Sequence, residues 1–275
     1  MSDRISVDVT DGVADVRLIR GDKMNALDEA MFEALVETPK QLDANPSVRC
    51  VVLSGEGRAF CAGLDMGNFG KMAEGASGGS GGGGRPGGRS TLAERTHGIA
   101  NRAQQAVWGW RQLRMPVITA AHGVALGGGF QVFLGSDIRF VHPDTKLAIM
   151  EVKWGLVPDM SSTAIMRELA GDDVVRELTY TGRIFSGVEA KAYGFATHVS
   201  DTPLDDAMAL AREIASKSPD AVQAAKAIYN VLPDRSQAEA LQAESTIQDG
   251  LIGTPNQIEA IMAGMQKRTG NFIDA

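Results

Sequence analysis

Two glycine-bearing segments hold the residue types best suited to chemistry. The first is HGVALGGGF, His122 to Phe130, which follows a β-branched run and opens a helical pattern. Three consecutive glycines let the backbone approach a ligand with no Cβ in the way. The first turn of a helix adds unpaired N–H donors and a positive dipole end, where negative charge can settle. No Lys follows the glycines and the GxGxxG spacing is absent, so this is not a nucleotide-phosphate loop. The second segment is AFCAGLD, Ala59 to Asp65, just beyond the run VRCVVLSG at 48–55. Two such bends, each following a strand of parallel type, can aim two N–H groups at one carbonyl oxygen. That is an oxyanion hole, in which one donor contributes about 2.7–4 kcal/mol of transition-state stabilisation. The glycines alone fit equally well a tight strand-to-helix turn packed against a neighbour.

The elements around them follow from periodicity. Alternating apolar residues on either side of Asp11-Gly12 predict a β-hairpin over 4–19. A helical period covers 28–43, with Pro39 expected to interrupt or bend it. The β-branched run 48–55 predicts a buried strand. A helix is expected over about 91–113, a strand over 116–122, and a helix from about 128. Short strands are expected near 137–142 and 147–150, with another helix after Pro158. Helices are then predicted over 204–217, 219–231, 236–250 and 255–268, with Pro219, Pro233 and Pro255 near the breaks. Between Gly75 and Gly88 the composition collapses to glycine and serine, which predicts a mobile inserted flap of about 72–90. The whole reads as an α/β core over 1–200 followed by a C-terminal helical region over 201–275.

Bulk properties narrow the function. A chain of 275 residues with 44% hydrophobic content can bury a large core. A net charge of −7 and no Lys/Arg run exclude a nucleic-acid binder, so an anionic ligand would need a local basic patch. The apolar stretch Pro116 to Gly135 contains His122 and Gln131 and divides into a strand-like and a helix-like half, favouring a buried strand-turn-helix over a membrane span. Cys50 and Cys61 form no metal or disulfide pattern, and the N-terminus has no apolar signal core, so a cytoplasmic protein with reduced thiols is expected.

AFCAGLD together with HGVALGGGF some sixty residues later resembles the paired signature of the crotonase (enoyl-CoA hydratase/isomerase) family. The likeness extends through RGDKMNALD near the start, SDIRF after the glycine helix and the closing MQKRTGNF. It implies a spiral of ββα units with trailing helices, assembled as a homotrimer or dimer of trimers, acting on an acyl-CoA thioester. Coenzyme A would be part of the substrate, with no separate cofactor and no metal. The thioester oxygen would be held by the N–H groups of Leu64 and Gly128. Lys23, Asn25 and Ala26 would line the coenzyme A site, together with Ala62, Asp65 and Gln131, and the flap would lie near the acyl pocket.

The resemblance also assigns the carboxylates. Relatives that hydrate enoyl thioesters pair two glutamates, and Gln131 stands at the first position. An amide neither takes nor gives a proton at neutral pH, so Gln131 can orient but not act as acid or base. Glu151 matches the second position, where relatives that only move a double bond keep a single glutamate. Asp159 matches an aspartate of dienoyl-CoA isomerases and aryl-CoA dehalogenases, and it equally suits the N-cap of the helix that follows; those isomerases place an acidic residue where Gln131 stands, which argues against full dienoyl isomerase chemistry. Glu151 itself could be a solvated strand-end carboxylate. The expected activity is therefore double-bond isomerisation of an enoyl-CoA. Hydration by Glu151 with Asp159, or acyl-CoA binding without catalysis, are the alternatives. His122 reads as structural, Cys61 as packing, Asp65 as a possible brace, and Trp108, Trp110 and Trp154 as core or pocket wall.

Overall fold

The computed structural model describes residues 3–65, 67, 92–231 and 235–275, so the expected insert at about 72–90 lies outside the described residues. Strands β1 (Ile5–Thr10) and β2 (Val13–Leu18) form the expected hairpin. Asp11 (φ 50°) and Gly12 (φ 80°) make its turn, both in the left-handed region that a two-residue hairpin requires. Helix α1 (Glu29–Asp43) is capped by Asp28, whose side chain accepts from the Met31 N–H. It is not interrupted at Pro39, one of the two outcomes expected there. The ring packs within about 3.6 Å of where a Cβ on Gly109 would stand, so burial against the next helix offsets the lost backbone bond.

Strand β3 (Cys50–Gly55) is buried along its whole length because parallel neighbours cover both of its edges, β2 on one side and β4 (Val117–Ala121) on the other. Helix α2 (Arg102–Gln112) precedes β4 and starts later than predicted. A capping box between Asn101 and Gln104 fixes its first turn, and Gly98 at φ +63° lies ahead of it in non-helical backbone. Beyond β4 come the short strand β5 (Val124–Leu126), helix α3 (Gly128–Leu134), β6 (Ile138–Val141) and β7 (Lys146–Ala148). The apolar stretch 116–135 is thus a buried strand-turn-helix. A 3-10 turn, Glu151–Trp154, leads to α4 (Ser162–Leu169). Two helices not anticipated from the pattern follow, α5 (Asp172–Thr181) and α6 (Gly187–Tyr193), with β8 (Phe185–Ser186) between them and β9 (His198–Val199) after.

The six strands of the main sheet run β1-β2-β3-β4-β6-β9, parallel from β2 onward, while β5, β7 and β8 make a second, smaller sheet. This strand-helix spiral is the expected α/β class. The C-terminal helices fall close to prediction: α7 (Pro203–Ala215), α8 (Pro219–Val231), α9 (Gln237–Leu251) and α10 (Pro255–Gln266). The first of them is part of the core layer. Ala207, Ala211 and Ala215, four residues apart, share a cluster with Val13, Cys50, Val52, Ile118, Ala120 and Phe140 on one face of the main sheet. Lys226 of α8 reaches into the fold, donating to Asp137 Oδ2 (2.8 Å) and the Met115 carbonyl (2.9 Å).

Candidate active site

The two glycine-bearing bends lie against each other. Cys61 and Ala125 form a parallel bridge, with Cys61 N–H donating to the Val124 carbonyl (3.0 Å) and Leu126 N–H to the Cys61 carbonyl (3.1 Å). A Cβ on Gly63, which has φ +86°, would stand 2.4 Å from the Leu126 oxygen and 3.6 Å from the Gly128 nitrogen. That approach is open only to glycine.

Leu64 pairs with Leu27 in a second parallel bridge, whose two bonds are made by Gly63 O and Asp65 N. In a parallel bridge the central residue's own N–H points to the opposite side. Gly128 is the first residue of α3, where no preceding turn supplies an acceptor. Among the described residues, no carbonyl accepts either N–H. Among the described residues the two donors are unspent, and they belong to bends in mutual contact.

Glu151 sits beside this pair. A Cβ on Gly127 (φ +50°) would lie 3.5 Å from Glu151 Oε1. The carboxylate is 9% exposed, which excludes the solvated strand-end reading. Its Oε1 accepts from Gln131 Nε2 (2.5 Å), and its Oε2 is buried with no hydrogen-bond partner among the described residues. Burial, joined by the negative field of Asp159, pushes the Glu151 carboxyl up despite its own backbone N–H and the Gln131 N–H pulling the other way. Gln131 is 1% exposed, and its Oε1 accepts from Met160 N (2.8 Å) and Ser162 Oγ (2.7 Å).

Asp159 is exposed on the loop between the 3-10 turn and α4. It is not the helix cap expected of it, because α4 begins at Ser162 and Ser161 occupies the N-cap position in left-handed backbone.

On the other side of the bends, a charged network holds the Asp65 loop. Arg20 Nη1 donates to Asp65 Oδ2 (2.6 Å) and to the Ala26 carbonyl (3.0 Å), and its Nε lies 3.5 Å from Asp28 Oδ2. The Gly67 N–H, then Arg20, hold the Asp65 carboxyl below the usual range. Asp65 is therefore a brace. Asn25, expected among the ligand-lining residues, is turned inward, because its fully buried amide donates to the Glu56 (3.0 Å) and Ala59 (2.9 Å) carbonyls.

Around these groups, Lys23 is exposed, Ala26 is buried, and Ala62 donates its N–H to Met24 O. His122 Nε2 lies 2.9 Å from the Gly57 carbonyl, a structural contact. Burial pushes the Cys61 thiol up to about 12, so it packs rather than reacts. Trp110 is core, whereas Trp154 is exposed and Lys153 lies over its ring.

The residues that motif reading missed are Arg20, Met160 and Ser162. An arginine, a methionine N–H and a serine at a helix start have no local signature that marks them as partners of Asp65 and Gln131. Among the described residues no group of three or more His, Cys, Asp or Glu side chains could hold a metal ion, and no helix is long and apolar enough to cross a membrane.

Solved structures share this architecture over nearly the whole chain. An enoyl-CoA hydratase from Bacillus anthracis superposes with TM-score 0.85 at 28% identity, covering 99% of this chain and 100% of that one. An enoyl-CoA hydratase from Mycobacterium smegmatis gives 0.79 at 26%, covering 98% of each. These are likenesses to enzymes of the crotonase superfamily, and the spiral of strands and helices is theirs. A profile described as enoyl-CoA hydratase/isomerase matches residues 13–274, and the chain belongs to that family of enzymes. Its similar relatives include the peroxisomal Delta(3,5)-Delta(2,4)-dienoyl-CoA isomerase of Arabidopsis thaliana, 32% identical over 92% of this chain and 90% of that protein. The mitochondrial enzyme of the same name from Rattus norvegicus is 30% identical over 95% of this chain and 79% of its own. A mevalonyl-coenzyme A hydratase of Beauveria bassiana is 28% identical over 94% of this chain and 91% of its own.

Proposed function

We propose that the protein isomerises a carbon–carbon double bond in an enoyl-CoA thioester, with Glu151 carrying the proton and the Leu64 and Gly128 N–H groups holding the enolate oxygen. One observation carries this reading: a buried carboxylate, whose side-chain hydrogen-bond partner among the described residues is an amide and not a cation, stands against the turn that offers the Gly128 donor. Its raised pKa suits a group that must both take and return a proton. The amide at Gln131 counts against hydration, which would call on a second carboxylate there. The names of the dienoyl-CoA isomerase relatives point the same way. Lys23, Ala26 and Ala62 would line the coenzyme A approach, with Asp65 acting through the loop it braces.

Hydration is the second reading. It is favoured by Asp159, whose negative field reaches Glu151, and by the hydratase named among the relatives. The assembly would be a homotrimer or dimer of trimers in a cytoplasmic setting, consistent with exposed Ile258, Ile261, Met262 and Met265 on α10. Relatives named peroxisomal and mitochondrial make the compartment a matter for direct localisation.

The test is turnover of a panel of 3-enoyl-, 2-enoyl- and dienoyl-CoA thioesters by the wild type and by Glu151→Gln. Isomer formation by the wild type alone supports the proposal. Hydroxyacyl-CoA as the main product would transfer the assignment to hydration, and thioester binding with no turnover of any member would leave a binding protein.

A further inference from the structure

The amide of Gln131 has one orientation open to it. The Met160 N–H is a main-chain donor that cannot be reversed, and it meets Gln131 Oε1 at 2.8 Å. A flipped amide would set NH₂ against that N–H and its carbonyl oxygen against the Glu151 carboxylate, both repulsive. The second partner is a choice made by this sequence. Ser162, fully buried as the first residue of α4, donates its hydroxyl to the same oxygen at 2.7 Å. With two donors on Oε1, the amide plane is fixed and Nε2 is directed at Glu151 Oε1.

The consequence falls on Glu151. Its Oε1 accepts from the locked amide and also faces the glycine turn, 3.5 Å from where a Cβ on Gly127 would stand, so the amide sets the carboxylate against that turn.

We propose that Ser162 is a positioning residue: with the Met160 N–H it locks the Gln131 amide, which grips Oε1 and fixes the Glu151 carboxylate against the Gly127–Gly128 turn. This rests on the isomerase reading and deepens it. In a 3-enoyl thioester, the Glu151 carboxylate takes the proton from C2 as the C2–H bond breaks, and the electron pair spreads into a dienolate with its charge on the thioester oxygen. The carboxyl O–H bond then breaks as that proton joins C4, the C2–C3 double bond forms, and the carboxylate is restored. Nothing is oxidised or reduced. Gln131 offers the carboxyl only an N–H, its own oxygen being taken by Met160 and Ser162, so the amide provides the proton no acceptor on the way to water.

The test follows a deuterium label from C2 of a 3-enoyl-CoA into the product by mass spectrometry, alongside kcat and KM. The wild type is expected to carry most of the label to C4. Ser162→Ala is expected to lower kcat about tenfold, the scale of one neutral hydrogen bond, with KM unchanged and the label largely lost to water. Ser162→Thr, which keeps the hydroxyl, should restore both. If Ser162→Ala does not fold, Gln131→Met removes the cap directly and should lose the label in the same way. Wild-type product formed with the label washed out, or Ser162→Ala indistinguishable from wild type, overturns the positioning role and leaves the isomerase reading intact. No product from any enoyl thioester overturns both.

Discussion

Two clusters of carboxylates flank the same pair of bends, and their partners differ. On one side Asp65 and Asp28 face Arg20, and Arg4 bonds Asp28 as well (2.9 Å). On the other, Glu151 faces an amide and lies in the field of a further carboxylate, Asp159. The Gly67 N–H and then Arg20 lower the Asp65 carboxyl and fix a loop, whereas burial raises the Glu151 carboxyl. A carboxylate braced by a cation is held charged and serves structure. One that is desolvated with no cation bonded to it sits closer to the pKa at which protons move.

The sharpest way to break the contrast is to remove the charge on the reactive side. Glu151→Gln keeps an acceptor for Gln131 but cannot carry a proton, and kcat should fall about 10²- to 10⁴-fold while thioester affinity, read by calorimetry, is unchanged. On the bracing side, Arg20→Met strands Asp65 and frees the Ala26 carbonyl. The expected loss is about 2 kcal/mol of stability by urea unfolding, the scale of hydrogen bonds to charged groups, together with a higher KM. Gln131→Glu sets a carboxylate against Glu151 within the same donor pair. Like charges at this separation raise a carboxyl pKa, so the acid limb of the kcat–pH profile should move to higher pH than in the wild type.

The smallest expected effect is on stability against pH, where the two sides run in opposite directions. Asp65 has a lowered folded pKa, so its contribution is present above the unfolded value and is lost as pH falls through the folded one. Glu151 has a raised folded pKa, so it costs stability at neutral pH and the cost is relieved as pH falls. Glu151→Gln should therefore melt a few degrees above wild type at pH 7, with the gap closing on acidification. A gap that widens in acid would contradict the sign.

Much of this was legible in the sequence because local patterning carries it. The Asp11-Gly12 hairpin, the buried 48–55 strand and the four C-terminal helices each follow from periodicity and turn chemistry within a dozen residues. Pro39 does not end its helix because a tertiary contact at Gly109 outweighs one missing backbone bond. The start of α2 was misjudged because an Asn101–Gln104 capping box overrides the apolar pattern before it. At the site, the motifs brought Leu64, Gly128, Gln131 and Glu151 to one place. Asn25 was misassigned, and Ser162 and Arg20 were passed over, for the same reason. Whether a polar side chain points at ligand or at a carbonyl dozens of residues away depends on tertiary packing that spacing does not encode.

The central claim is that two main-chain N–H groups polarise a thioester oxygen beside Glu151. Difference infrared spectroscopy of a non-isomerisable acyl-CoA carrying ¹³C at the thioester carbonyl reads that polarisation directly. The account predicts a carbonyl stretch clearly below that of the free thioester, in the wild type and equally in Glu151→Gln, since the donors are backbone. A bound carbonyl stretch at the frequency of the free thioester in water or above would contradict it.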